Sequence, residues 1–277
     1  MFARISGAGM RGLLVALLVA IPSILLPGRA SDAPEIVLLL AIIAAMLTFA
    51  EYNSIFPSYV EFRDAPPLNR MRFVALFSMV LCLTLIAKHR FEPTNATAIF
   101  AGFGVLIGNW VDFPYSPVRQ VVLMLPEGSS ALLVQSVRVA AGVSYVIALI
   151  TVAAFVFAVR VRGWPTGNGA FNVWVNLPLF DPTAGGDVVS RLQRDGRLNV
   201  IMGVLLPFLI PVVVKAGSQL IWQLPINEPQ PMIWTICAWA FLPASMILRG
   251  IAMMRIAELI EKKRRRTYAN PEAVPVA

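Results

Sequence analysis

Seven stretches of the chain contain no Asp, Glu, Lys, Arg or His and are overwhelmingly apolar. They lie between Arg11 and Arg29, Glu35 and Glu51, Arg72 and Lys88, Glu92 and Asp112, Arg138 and Arg160, Arg197 and Lys215, and Glu228 and Arg249. Each is roughly 15 to 21 residues long, and a helix needs about 20 apolar residues to cross the hydrocarbon core of a bilayer, its flanking charges reaching back to the interface. The pattern predicts an all-α polytopic transmembrane bundle of about seven spans. They are placed near residues 11–28, 35–51, 71–88, 93–112, 131–160, 198–222 and 230–254, with short interfacial helices in the loops. Residues 1–266 form one membrane domain in this reading, and residues 267–277 a disordered tail.

Charged residues make up 14% of the 277 and the mean hydropathy is +0.73, where soluble domains carry about 25% charge. No room is left for a separate soluble catalytic domain. Cys82 and Cys237 both fall inside apolar windows, where a thiol acts as a small hydrophobe; a disulfide framework is not expected. The net charge of +8 gathers near the C-terminus and between the fifth and sixth windows. That placement suits contact with anionic lipid rather than nucleic acid.

The first window resembles a signal peptide in having Arg4 and Arg11, an apolar run and Gly28-Arg29-Ala30. Its prolines, Pro22 and Pro27, and the apolar window that follows favour a retained helix. Orientation follows from lysine and arginine in the connections. The tail with Arg249, Arg255 and Lys262-Lys263-Arg264-Arg265-Arg266 is the most basic and is expected in the cytoplasm. Seven spans then put the N-terminus outside, with 15 of the 23 basic residues inside and 8 outside. An eighth crossing over residues 118–137 would move Arg4, Arg11, Arg63, Arg70 and Arg72 inside, but Pro126-Glu127-Gly128 splits that stretch.

In the connection 51–70, Tyr52, Phe56, Tyr59 and Phe62 recur at helical spacing and predict a short interfacial helix. The half-length apolar piece at 118–125 reads as a re-entrant or surface segment. In the connection 160–197, Gly163 to Gly169 is rich in turn formers, and Phe171, Trp174, Leu177, Leu179 and Phe180 supply apolar anchors. Asp187 is expected to cap a short amphipathic helix ending near Gly196, with Val188, Val189 and Leu192 toward the membrane and Arg191 and Arg194 on phosphates. The last helix should continue past the membrane on the i, i+4 pairs Glu258–Lys262 and Glu261–Arg265.

The chemical census is thin. A single histidine, His89, excludes bis-histidine haem ligation, and no cysteine pair has metal spacing; no metal and no cofactor are expected. His89, between Lys88 and Arg90 at a helix end, reads as a solvated or headgroup-facing side chain. Gly128-Ser129-Ser130 lacks the form of a nucleophile elbow, and Ser129 reads as an N-cap. Gly167-Asn168-Gly169 lacks the third glycine of a dinucleotide fingerprint. Glu51, Asp112, Arg138 and Lys215 are spaced as interfacial snorkellers, not as charges buried for ion coupling.

Two features bear on mechanism. Pro22, Pro207, Pro211 and Pro243 interrupt the first, sixth and seventh helices, either as kinks or by freeing carbonyls for a ligand. Gly104 and Gly108 form a Gly-xxx-Gly face, Asn109 can add an interhelical hydrogen bond, and Ala140, Ser144 and Ala148 make a second small-residue stripe. Both stripes serve packing within the chain or against a partner, and Trp222, Trp234 and Trp239 serve as interface belt or packing residues. Three functional classes follow: a non-catalytic accessory or assembly partner of another membrane complex, which leads; a permease or channel-like protein for a small or lipidic solute; and, remotely, a membrane-embedded enzyme. A bacterial inner membrane rich in anionic lipid is the expected setting.

Overall fold

The computed structural model describes residues 2–27, 34–165, 176–181, 185–218, 226 and 228–269. They form eight helices: α1 (Phe2–Leu25), α2 (Pro34–Asn53), α3 (Leu68–His89), α4 (Asn95–Val111), α5 (Pro117–Leu123), α6 (Ala131–Arg160), α7 (Val188–Ser218) and α8 (Pro229–Ala269). Among the described residues there is no strand. The chain is a helical membrane bundle: six helices are long and apolar enough to cross a bilayer. α4, expected as the fourth span, is a shorter apolar helix of 17 residues, about 25 Å long at 1.5 Å per residue against a hydrocarbon core of about 30 Å.

Local chemistry sets the helix starts between the crossings. Thr94 caps α4 in a box with Thr97, each side chain accepting from the other's backbone N–H. Ser116 caps α5, and Pro117 takes the first helical position, where its missing N–H costs nothing. The cap of α6 is Ser130, which accepts from Leu133 N–H at 3.2 Å, and not Ser129, whose hydroxyl turns back to the Pro126 carbonyl.

The path of the chain differs from the seven-span expectation. Lys88 at the end of α3 donates to the Leu25 carbonyl at the end of α1 (3.0 Å), and Arg90 reaches Ser136 near the start of α6 (3.1 Å). α3 therefore ends where α6 begins, and α4 with α5 makes no net crossing between them. At the other end, Phe62 N–H donates to the Asn176 carbonyl (2.6 Å) and Trp164 Nε1 to the Pro66 carbonyl (3.0 Å). The connections 51–70 and 160–181, which seven spans place on opposite sides, are in contact. The beginning of α1 and the end of α8 lie at this same end. Of the described Lys and Arg residues, 17 sit there and five (Lys88, Arg90, Arg119, Arg138, Lys215) at the opposite end.

Lipid is as apolar as leucine, so helices in a bilayer associate through close van der Waals fit and interhelical hydrogen bonds. The α7–α8 pair is built on both. A Cβ placed on Gly196 would come within 2.9 Å of the Gly250 carbonyl oxygen, and one on Gly203 within 2.6 Å of the Pro243 carbonyl oxygen. These glycines let two backbones meet, as Gly12 does for α1 against Ala45 of α2. Proline chemistry then adds a polar tie. Pro211 has no N–H to give to the carbonyl four residues earlier, that of Pro207, and Trp239 Nε1 of α8 donates to this carbonyl at 3.0 Å. Trp239→Phe should cost about 1–3 kcal/mol by leaving that carbonyl unsatisfied. The cost should shrink in a Pro211→Ala background, where an alanine N–H can supply the missing bond; a double-mutant cycle of thermal unfolding in detergent measures the difference.

Several loop expectations are corrected. Residues 54–67 form turns, not an interfacial helix, because the Glu51 carboxylate accepts from three successive N–H groups, Ser58 (2.7 Å), Tyr59 (3.0 Å) and Val60 (2.9 Å). Phe62 adopts φ 55° and is fully buried against Trp164 instead of lying among headgroups. Asp187 does cap a helix, accepting from Ser190 N–H at 3.1 Å, but that helix runs through Gly196 into the membrane span as α7. Val189 and Leu192 are buried inside the protein, packed with Met253 and Ile256 of α8. Residues 267–269 are the last of α8, not part of a disordered tail. Phe171, Trp174, Trp222, Gly167 to Gly169 and residues 270–277 lie outside the described residues.

Candidate functional site

At the basic end a network of polar bonds ties the loops to the helices. Glu61 is buried and forms a bidentate pair with Arg249 of α8, at 2.5 Å from Nε and 2.8 Å from Nη2. Asn69 at the start of α3 donates to the Glu61 carbonyl (2.7 Å), and Arg72 donates to the Ser245 carbonyl (2.9 Å). Arg63 bonds the carbonyls of Glu51 and Ser54, both at 2.9 Å, and Arg255 bonds that of Trp164 at 3.1 Å. The Phe62, Phe155 and Trp164 rings pack beneath this network. Farther out, Arg264 reaches Asp187 at 2.6 Å. That hydrogen bond, with help from the Ser190 N–H, holds the Asp187 carboxyl below its ordinary range.

The opposite end has its own charged cluster. Asp112 ends α4 with its carboxylate only 4% exposed, set between Arg119 of α5 (2.8 Å) and Arg138 of α6 (2.7 Å). Glu51 and Asp112 thus do not snorkel as their spacing suggested. Each organises a turn of the chain around a buried carboxylate, and a carboxylate supplied with several donors is a strong acceptor. His89, read as solvated or headgroup-facing, pairs with Thr97 at 2.9 Å and joins the end of α3 to the start of α4.

Two clefts open on the flanks of the bundle near this end. One, of about 340 Å³, lies between α5, α7 and α8; Ile210, Pro211, Trp239 and Leu242 line it, with Thr235 as its one hydroxyl. The other, of about 180 Å³, lies between α3, α4, α6 and the start of α8.

The residues singled out from sequence are placed as follows. Gly104 faces Ile86 and Val139, and Gly108 meets the backbone of Arg138 and Val139, so this glycine face packs inside the chain. Ala140 and Ser144 are buried as well, whereas Asn109 is exposed on the outer side of α4. Pro22, Pro207, Pro211 and Pro243 are all buried against neighbours. Arg191 stacks over Phe180 at 4.8 Å and Arg194 pairs with Asp195 at 3.1 Å. Arg265 pairs with Glu261, while Lys262, Lys263 and Arg266 are exposed. Thr151 of α6 bonds its own helix at Ile147.

Sequence reasoning missed Glu61, Arg72 and Arg249 as one cluster, and missed Gly142, Gly196, Gly203 and Gly250 as contact points. A Cβ on Gly142 would sit 2.6 Å from the Gly108 backbone, and the shared Gly-xxx-Gly logic was the available signal. The fold and these clusters define a polytopic helical membrane protein whose buried charges fasten loops to helices. No protein-family model, curated protein or solved structure matches the chain.

Proposed function

We propose that the protein is a non-catalytic accessory or assembly subunit that packs against another membrane complex. The observation that carries this reading is Asn109. Its amide is exposed on α4, makes no side-chain hydrogen bond among the described residues, and stands beside Trp110, itself 86% exposed. An unbonded amide on an apolar helix face is a ready interhelical hydrogen-bond donor and acceptor. Because Gly104 and Gly108 pack inward, the proposed partner surface is this outer side of α4.

This reading puts both ends of the chain in the cytoplasm, since lysine and arginine concentrate on that side of a membrane. There Arg191, Arg194 and residues 262–266 face anionic lipid, and a bacterial inner membrane fits such a surface. The test is purification at native expression level in mild detergent, with mass spectrometry of whatever co-migrates. A stoichiometric membrane partner is expected. Its recovery should fall roughly 3- to 30-fold in Asn109→Ala, the range set by an interhelical hydrogen bond of about 0.6–2 kcal/mol. Recovery of a lone monomer or homo-oligomer carrying a bound solute would refute it. That outcome would favour the second reading, a permease for a lipidic solute, which draws on the apolar cleft beside Pro211.

A further inference from the structure

The smaller cleft combines an apolar interior with a cationic mouth. Leu83, Ile86 and Ala87 of α3, Ala101 and Val105 of α4, Leu132 and Val139 of α6 and Met232 of α8 form its walls; His89, Arg90, Gln135 and Ser136 form its polar edge. Arg90 caps the end of α3, so its position is fixed by backbone bonds to Ala87 and Lys88. Its guanidinium donates to Ser136 Oγ at 3.1 Å, while that hydroxyl donates in turn to the Leu132 carbonyl at 2.7 Å. Among the described residues no carboxylate lies within ion-pair distance of Arg90: the neighbouring Glu92 is taken by Lys88 at 3.0 Å, and Asp112 by Arg119 and Arg138.

We infer that this cleft is a binding site for one anionic phospholipid of the surrounding bilayer, with a phosphate on Arg90 and one acyl chain between α3, α4, α6 and α8. The positive mouth supplies the charge complementarity, and guanidinium is the side chain best suited to bind phosphate oxygens in pairs. At about 180 Å³ the cleft is below the roughly 300–1,000 Å³ of drug-sized ligand pockets, and a single acyl chain is slim enough to enter from the membrane side. The inference stands apart from the accessory reading, since a lipid seated here requires no protein partner.

Native mass spectrometry of the full chain tests it, after equilibration in micelles with equal amounts of phosphatidylglycerol and phosphatidylcholine. Wild type should retain one phosphatidylglycerol with about fivefold preference over phosphatidylcholine, the effect of one cation near a headgroup. Arg90→Gln should abolish the preference while chain contacts persist. Val105→Trp, which fills the cleft, should reduce retention of both lipids, and Arg4→Gln at the other end of the bundle should change neither. Helicity and thermal unfolding of each variant in the same micelles check folding. Equal retention of the two lipids by wild type, an unchanged preference in Arg90→Gln, full retention in Val105→Trp, or a fatty acid held in place of phospholipid would each overturn the assignment.

Discussion

Replacing Glu61 by alanine is expected to destabilise the bundle by about 3–5 kcal/mol, the cost of leaving a partly buried guanidinium without its partner. Glu61 is the sole acidic residue bonded to Arg249 among the described residues, and Arg72, held to the Ser245 carbonyl, lies close enough to feel its charge. Arg249→Ala should be comparably harmful because it strands the buried carboxylate. The double variant Glu61→Leu/Arg249→Leu should lose less than the two single losses together, since apolar replacement of a whole ion pair removes both desolvation penalties. Unfolding in a graded mixture of mild detergent and dodecyl sulfate would measure all three. Equal losses for the double variant and the summed singles would mean that the pair does not act as a unit.

The second large effect concerns a glycine. Gly250→Val should separate α7 from α8 and cost about 3 kcal/mol, at the upper end of ordinary overpacking. A Cβ there would lie 2.5 Å from the Gly196 carbonyl oxygen and 3.0 Å from the Val200 nitrogen. These are backbone atoms, which cannot rotate out of the way. Gly102 provides the opposite sign: it is helical and exposed, and an alanine methyl there would meet nothing within 4 Å. Gly102→Ala should therefore stabilise by about 0.5–1 kcal/mol through reduced backbone freedom. The same unfolding assay, on the chain purified without a partner, reads both, and a loss in Gly102→Ala would show that this face of α4 packs within the chain.

The crossings were legible because each needs a long charge-free run: α6 begins and ends where the pattern placed it, and α2 and α3 differ by a few residues. The fourth window misled because composition cannot tell a full crossing from a helix that stops short and turns. Here the turn is made by Asp112, whose role depends on Arg119 and Arg138, seven and 26 residues away along the chain. The aromatic spacing in 51–70 misled for a similar reason. Three N–H groups that a helix would use internally are drawn to the Glu51 carboxylate, and spacing alone carries no trace of that competition. Glu61 and Arg249 are 188 residues apart, and in a single sequence nothing links them.

The length of α8 sets a separation between two kinds of charge. Its 41 residues span about 61 Å at 1.5 Å per residue, roughly twice the hydrocarbon thickness, so the rod runs well past the hydrocarbon core, accompanied by the start of α7, to which Arg264 is tied through Asp187. Lys262 stands about 20 Å along it from Arg249, more than two Debye lengths of about 8 Å at physiological ionic strength. The outer cluster is therefore electrically insulated from the ion pair at its base. Salt screens these exposed cations while the sheltered Glu61–Arg249 pair, screened much less, keeps the rod seated.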